Sequence, residues 1–195
     1  NATGEPTKSQ QVYVDLYNPV SSATVVGASY SGTYTYVTPD TGITLSATDS
    51  DAGVANIYYK VGADAFGLYT TPIKFTGDGL KTITYYAEDK VENAEDEQTI
   101  SVYVDNTPPA VAISASTPKY TNAGVTYLHP TAYLSVAATD DCGVLSTSYR
   151  VDGGAWTTYT GAFMLSGEGN HTVAARATDN LGRQSGETVF SPVVD

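Results

Sequence analysis

The sequence contains few of the residues on which most enzymes and nucleic-acid-binding proteins depend. Its 195 positions hold one cysteine, two histidines and nine basic residues against 21 acidic ones, a formal net charge of −12. Because a phosphate backbone attracts a basic surface, this balance argues against nucleic acid and anionic membrane as partners, whereas divalent cations remain compatible with it. A lone cysteine cannot form an intramolecular disulfide, so packing alone must hold the fold together.

Long apolar stretches are also absent. No run approaches the roughly 18 apolar residues that a membrane helix needs. Residues 1–20 lack the basic start and apolar stretch of a signal peptide. The sequence therefore predicts a soluble, already processed chain. The 16 tyrosines, together with threonine and valine, favour strands and an extracellular surface over a helical enzyme.

The sequence repeats itself at a spacing of 90 residues. The repeat preserves glycines, turn residues and alternating apolar positions but no histidine or cysteine, which favours duplicated architecture over duplicated chemistry. The matching residues of the first copy are Tyr59, Val61, Tyr69, Gly77, Gly79, Thr82, Ala87, Asp89, Val104 and Asp105. Those of the second are Tyr149, Val151, Tyr159, Gly167, Gly169, Thr172, Ala177, Asp179, Val194 and Asp195.

Apolar and polar residues alternate in short runs, the period of a half-buried β-strand. The predicted inward positions of the first copy are Ile43, Leu45, Ala47, Ile57, Tyr59, Val61, Ile83, Tyr85, Ala87, Ile100, Val102 and Val104. Those of the second are Leu134, Val136, Ala138, Thr147, Tyr149, Val151, Val173, Ala175, Ala177, Phe190, Pro192 and Val194. About seven short strands per copy, without a helical period, predict an all-β fold of two tandem immunoglobulin-like β-sandwich domains.

Proline-containing segments indicate the domain limits. Residues 104–109 carry two prolines, which fix φ and remove N–H donors, so we expect a short, stiff joint there. Residues 14–19 show the same signal 90 positions earlier. We predict domains at 16–105 and 106–195, and in residues 1–15 a strand equivalent to the last strand of a preceding repeat. Its pairing residues, which would join either the edge of the first domain or another copy of the chain, are Val12, Tyr13 and Val14.

Several longer runs support a family resemblance. The first copy contains Leu45-Ser-Ala-Thr-Asp49 and Gly77-Asp-Gly79, and the second contains Tyr149-Arg-Val-Asp-Gly-Gly-Ala-Trp156, Gly167-Glu-Gly-Asn-His-Thr172 and Ala177-Thr-Asp-Asn180. These runs resemble the bacterial Ig-like repeat of the outer-membrane OmpL type, and the resemblance covers nearly all of residues 20–195. It implies an exported, non-catalytic module, since such repeats occur in secreted or surface proteins as spacers, as adhesive arrays and beside carbohydrate-active enzymes.

Oxygen-bearing side chains gather where loops meet the joint. In an immunoglobulin-like sandwich, the loops after the second and sixth strands lie at the pole where the chain enters. The residues expected to meet there are Asp105, Asn106, Asp140, Asp141, Asp179 and Asn180, and the matching set of the first copy is Asp15, Asp49, Asp51, Asp89 and Glu92. Such oxygen ligands suit calcium, which would stiffen the joint. In the alternative interpretation, each aspartate closes its own turn by accepting backbone N–H bonds.

Aromatic residues and histidines offer less specific signals. Residues that could stack on a ligand are Trp156, Tyr58, Tyr86 and Tyr103; the alternative is that they serve as half-buried strand formers. Cys142 lies in an Asp-Cys-Gly turn and is interpreted as a small turn residue rather than a redox or crosslinking group. His129 and His171 have no repeated serine, cysteine or acidic partner, so no catalytic set emerges and we predict that the chain is not an enzyme.

These observations lead to two functional hypotheses. The first is a non-enzymatic structural module of a bacterial extracellular surface array or filament, a rod of repeats associated head to tail with other copies or neighbouring repeats. The second is an adhesive or carbohydrate-binding module of a secreted protein that presents its aromatic side chains to a glycan or a host matrix protein. Both place the chain outside the cell or on the bacterial cell surface.

Overall fold

A computed structural model describes residues 9–195, which form 18 β-strands and no helix. Accordingly, this part of the chain holds no helix that is long and apolar enough to cross a membrane. The first eight strands are β1 (Val20–Val26), β2 (Ser29–Ser31), β3 (Thr35–Val37), β4 (Gly42–Thr48), β5 (Val54–Val61), β6 (Gly67–Leu68), β7 (Gly79–Asp89) and β8 (Gln98–Val104). The others are β9 (Ala110–Ala115), β10 (Lys119–Asn122), β11 (Val125–Leu128), β12 (Leu134–Thr139), β13 (Val144–Val151), β14 (Thr157–Thr158), β15 (Gly169–Asn170), β16 (Val173–Asp179), β17 (Thr188–Phe190) and β18 (Val193–Val194).

The described residues form two compact units that interleave along the chain. The first comprises residues 9–26, Ile43–Ile73 and Lys81–Ser101, and the second comprises Gly27–Gly42, Lys74–Leu80 and Val102–Asp195. The predicted domain limits at 16–105 and 106–195 stay a prediction. Residues 1–8 of the predicted N-terminal strand segment lie outside the described residues.

In the first unit, β1 pairs with β4, and the neighbouring strands follow the order β6-β5-β7-β8. Antiparallel pairing of β5 with β7 sets Tyr58 opposite Tyr86 and Val61 opposite Ile83. The core lies beneath this sheet, where Ile83 and Ala87 are completely buried. Because side chains alternate between the two faces of a strand, Thr84 and Tyr86 between them are more exposed.

The second unit contains the hairpin of β2 and β3, with β3 parallel to the end of β8, and the three sheets formed by β9 to β18. Their orders are β9-β12, β14-β13-β16-β17 and β10-β11-β18-β15. Leu134, Val173 and Val194 come from these three different sheets and are buried in one cluster with Leu128 and Ala132. A core shared by facing sheets makes this part of the chain a β-sandwich.

The inward positions predicted from alternation are confirmed in most strands. Ile43, Val102 and Val104 have no exposed surface, nor do Leu134 and Val173. The all-β, immunoglobulin-like class predicted from them is therefore confirmed. The first copy has eight strands and the second ten, where about seven were predicted for each. Short hairpins at β2–β3 and β10–β11 add strands that have too few residues to show a period, and two strands of the second copy are divided.

Strand bounds recur at the spacing of the sequence repeat, except that the stretches equivalent to β7 and β8 are each divided into two strands in the second copy. β5 and β13 have bounds 90 residues apart, as have β6 and β14. The stretch equivalent to β8, however, is divided into β17 and β18 around Pro192, which occupies the position of Val102. Proline has no N–H to donate to a ladder, so the strand is interrupted there.

Residues 9–19 form no strand. Val12, Tyr13 and Val14 are 74%, 84% and 75% exposed, and the pairing with the edge of the first domain that the sequence allowed is not formed. Asp15 is nevertheless attached, because its Oδ2 accepts a hydrogen bond of 2.7 Å from the Ala52 N–H. Pairing of Val12 to Val14 with another copy of the chain stays a prediction.

Candidate metal centre

Three aspartates of the second unit come together because each lies at the end of a strand. Asp105 follows β8 directly and is fixed by its N–H, which donates to the Val37 carbonyl at 2.9 Å. Asp140 follows β12, and Asp179 is the last residue of β16. One side-chain donor atom from each of these residues and from Cys142 lies within 4.8 Å of the others. We call this group of four residues the second acidic cluster.

One oxygen of each aspartate closes its own turn, as the alternative interpretation of the sequence expected. Oδ1 of Asp105 accepts the Thr107 N–H at 3.0 Å, and Oδ1 of Asp140 accepts the Cys142 N–H at 3.0 Å. Oδ1 of Asp179 accepts two N–H groups, those of residues 181 and 183, both at 2.8 Å. Turn closure therefore accounts for half of the oxygen atoms in the cluster.

The remaining oxygens are not explained by turns. Asp105 and Asp179 are 1% and 0% exposed, and Oδ2 of each is buried without a hydrogen-bond partner. The ion pairs of Lys60, Arg150 and His171 are formed with other carboxylates, those of Glu97, Glu187 and Asp152. A buried charge without a partner is strongly unfavourable. A positive group among these carboxylates would therefore stabilise the second acidic cluster.

The electrostatics of the cluster follow from burial and from like charge. Burial, with the nearby charges of Asp105 and Asp179, raises the pKa of Asp140. Burial and the hydrogen bond to Asp140 raise the pKa of the Cys142 thiol to about 12. The Cys142 Sγ donates to Asp140 Oδ1 at 3.1 Å. The thiol is therefore neutral in the free cluster and supports one of its carboxylates.

The cluster differs in membership from the set expected from the sequence. Asp141 instead accepts a hydrogen bond of 3.0 Å from the Tyr103 hydroxyl. Asn106 donates its N–H to Asp78 at 2.8 Å, and the Asn180 amide donates to the Cys142 carbonyl at 2.8 Å. Cys142, which the sequence indicated only as a turn residue, takes a place in the cluster. Its position two residues after Asp140, in the same loop, is the signal that would have suggested it.

A cleft of about 300 Å³ adjoins the cluster. Its walls are formed by Thr107, Pro108, Ala110, Thr139, Asp140 and Asp141. Asp140 thus belongs to the cluster and also lines the solvent-accessible cleft. The cleft offers a path for an ion and room for water ligands.

The matching residues of the first unit, Asp15, Asp49 and Asp89, also lie together, each with a donor atom within 4.8 Å of the others. We call them the first acidic cluster. Here the bonding is more complete, because the Asn93 side-chain amide donates to Asp89 Oδ2 at 2.9 Å. Asp49 Oδ2 is buried without a partner. The other predicted members are absent from the cluster: the Asp51 N–H donates to Asp49 Oδ1, and Glu92 lies in the following turn with φ of 69°.

The aromatic side chains proposed for ligand stacking mostly stack on one another. Tyr58 stacks on Tyr86 with ring centroids 5.2 Å apart, and Tyr103 stacks on Tyr34 at 5.6 Å. Trp156 lies against two guanidinium groups, those of residues 150 and 176, at 4.8 and 4.1 Å from its ring centroid. These contacts occupy ring faces that a sugar would need. A ligand at these residues stays a prediction.

Neither histidine is paired with a serine or a cysteine. His129 Nδ1 lies 2.8 Å from the Thr131 hydroxyl within its own turn. His171 uses both ring nitrogens, with Nδ1 2.8 Å from Asp152 and Nε2 3.2 Å from the Gly167 carbonyl. The hydrogen bond with Asp152 raises the pKa of His171 above its ordinary 6.5, and bonds from the Thr172 N–H and from His171 lower the pKa of Asp152 below 3.8.

The opposite shifts define a pH window for this pair. The contribution of His171 to the free energy of unfolding is fully present below pH 6.5 and is lost as the pH rises through its raised pKa. That of Asp152 is present above pH 3.8 and is lost on acidification. We therefore expect His171→Ala to destabilise the protein more at about pH 5.5 than at about pH 9, as measured by urea unfolding. His129→Ala is the control; an equal pH dependence in both variants would contradict the assignment.

Comparison with known proteins gives structural neighbours but no matching family. No protein-family model matches the chain, and no curated protein matches it. Among solved structures, the chain is similar to the fibronectin(III)-like modules of Clostridium thermocellum CbhA, at 16% sequence identity and a TM-score of 0.40. The similarity covers 89% of this chain and 94% of that chain. A likeness at this level carries no argument about the function of this chain.

Proposed function

We propose that this chain is a non-catalytic structural module of an exported bacterial protein, stabilised by calcium at the second acidic cluster. The observation that carries the proposal is the pair of buried, unpartnered oxygens of Asp105 and Asp179 beside Asp140. A bound divalent cation would compensate these charges, which no basic side chain does in the described part of the chain.

The donor set suits calcium. Calcium takes about six to eight oxygen ligands from carboxylates, carbonyls and water. Three carboxylates supply the protein's share, and water from the adjoining cleft supplies the remainder. The first acidic cluster is a second candidate, but its unpartnered oxygen belongs to Asp49 alone, so the proposal rests chiefly on the second cluster.

Cation binding would have a mechanical consequence. Asp105 and Asp140 directly follow β8 and β12, whereas Asp179 is the last residue of β16. A single ion would tie these three segments of the second unit to one point. Any ligand that binds only the folded state stabilises it, by about 2.7 kcal/mol at a hundredfold excess over its dissociation constant.

A structural role is also supported by the side chains that would otherwise suggest catalysis. Both ring nitrogens of His171 already have partners, and His129 contacts Thr131 within its own turn. Within the proposal, the 90-residue spacing and the OmpL-type resemblance favour a rod of such modules in an extracellular array or filament, with other copies of the repeat as partners. Micrographs of the purified protein would test assembly. The adhesive alternative has less support, because the stacking residues already contact one another.

A melting experiment tests the calcium proposal. Replacing chelator by calcium at about a hundredfold excess over its dissociation constant is expected to raise the melting temperature by roughly 5–10 °C, as measured by circular dichroism. Asp105→Asn removes one of the unpartnered oxygens and is expected to lose most of this rise. Asp64→Asn, an equivalent change in an exposed turn, is expected to keep it. A melting curve of the unaltered protein that calcium does not move would refute the proposal.

A further inference from the structure

The two acidic clusters differ in one of the atoms that could bind a metal ion. The second cluster contains a sulfur, Cys142 Sγ, within 4.8 Å of its carboxylate donors. The residue 90 positions earlier is Ala52, which has no side-chain donor, so the first cluster consists of carboxylates alone. This sulfur is the only cysteine sulfur in the chain, and it is buried with 3% of the residue exposed.

The Cys142 thiol lies among carboxylates that have no positively charged partner. Oδ2 of Asp105 and Oδ2 of Asp179 are buried and unpartnered, and both residues belong to the same group of four donors as Cys142. Within this group the thiol donates to Asp140 Oδ1 at 3.1 Å. An ion seated among the carboxylates would therefore meet the sulfur as its fourth protein neighbour.

We infer that the second acidic cluster also binds a thiophilic divalent cation of the zinc class, with Cys142 as a ligand, and that this ion competes there with calcium. The inference rests on the proposed function, since it assigns a second occupant to the same site. The first acidic cluster, which has only oxygen donors, does not share this property.

Coordination chemistry gives the reason for the preference. Thiolate is a soft ligand that favours zinc and related ions, whereas calcium takes oxygen ligands. As the metal–sulfur bond forms, the Sγ–H proton leaves to the buffer, because the ion itself deprotonates a coordinating thiol. Three carboxylates and one thiolate complete a tetrahedral set, in which neighbouring donors lie roughly 3.3–3.8 Å apart. Donors that lie within 4.8 Å of one another reach this geometry by movements of about 1 Å.

Cadmium provides a direct probe, because a thiolate bound to Cd²⁺ gives a charge-transfer absorption in the ultraviolet. With one cysteine in the chain, any such band reports Cys142. We expect the intact chain to develop the band in proportion to added Cd²⁺ until one equivalent is bound, and excess calcium to reduce it. Cys142→Ser, which keeps a donor toward Asp140, is expected to lose the band and to bind Zn²⁺ about tenfold more weakly by competition with a chromogenic chelator.

Two further measurements separate failure of this inference from failure of the calcium proposal. Cys142→Ala gives the second cluster the residue found at the matching place in the first, and it is expected to keep the calcium-dependent rise in melting temperature. If calcium stabilises all three proteins but Cd²⁺ gives no band and Zn²⁺ binds the serine variant as tightly as the intact chain, the inference is wrong and calcium binding stands. If the band appears but calcium moves no melting curve, the site is a thiophilic one and the calcium proposal is wrong.

Discussion

Leu134→Ala is expected to lower the free energy of unfolding by about 3 kcal/mol. Leu134 begins β12, has no exposed surface and packs in one cluster with Leu128, Val173 and Val194. Its backbone also exchanges two hydrogen bonds with Phe163, of 2.7 and 3.0 Å, so the strand cannot move inward to fill the space. The lost stability then includes both the free energy of transferring the removed atoms from water into the core and the cost of the cavity left behind. Urea unfolding followed by circular dichroism measures it.

The chain offers a matched control for that substitution. Leu145 lies in β13 of the same unit but is 65% exposed. Leu145→Ala removes the same atoms without opening a cavity, so its effect is expected to stay within about 0.5 kcal/mol. Equal effects of the two substitutions would show that the core does not lie where the burial pattern places it.

The core could be predicted from the sequence because alternation is a local property. Ile83 is more hydrophobic than the threonines on either side of it, and the pleat of a strand converts that difference directly into inside and outside. The hairpins around Tyr30 and Tyr120 could not be predicted in this way. Their first strands, β2 and β10, are short and exposed throughout, so no apolar period marks them.

The acidic clusters were only partly predictable. Position at a strand end correctly indicated that Asp105, Asp140 and Asp179 meet, because strand ends on one side of a sandwich converge. It could not distinguish Asp140 from Asp141, since neighbouring residues in a turn point in different directions. Their partners decide the matter: Asp141 turns to the Tyr103 hydroxyl, and Asp140 turns inward to Cys142.

Bonding of the second carboxylate oxygen separates the two clusters, although their sequences match. Asn93 donates to Asp89 Oδ2 in the first cluster, and the residue 90 positions later is Arg183. The Arg183 guanidinium donates instead to the Asn106 carbonyl at 3.2 Å and leaves Asp179 Oδ2 unpartnered. A single difference in the repeat thus separates an aspartate whose Oδ2 has a hydrogen-bond partner from one whose Oδ2 is buried without a partner.

Asp179→Asn is expected to raise the melting temperature in chelator and to abolish the rise produced by calcium. The two N–H groups that Oδ1 accepts, from Leu181 and Arg183, fix the orientation of the new amide, so its Nδ2 replaces the unpartnered oxygen. This change removes one of three neighbouring carboxylate charges and adds a hydrogen-bond donor toward the others. The variant should therefore melt above the unaltered protein without calcium and below it with saturating calcium.

The same substitution in the first cluster is expected to act in the opposite direction. Oδ1 of Asp89 accepts the N–H groups of Val91 and Asn93, and Oδ2 accepts the Asn93 side-chain amide at 2.9 Å. In Asp89→Asn the first two bonds would hold the new NH₂ group in the place of Oδ2. Two hydrogen-bond donors, the new NH₂ and the Asn93 amide, would then face each other. Burial alone would raise the pKa of Asp89, but the bonds from Asn93 and its neighbours lower it, which shows how strongly the ionised form is held. Asp89→Asn should therefore lower the melting temperature with or without calcium. If both variants moved the melting temperature in chelator in the same direction, the bonding of Oδ2 would not be what distinguishes Asp179 from Asp89, and the main support for a cation at Asp179 would be lost.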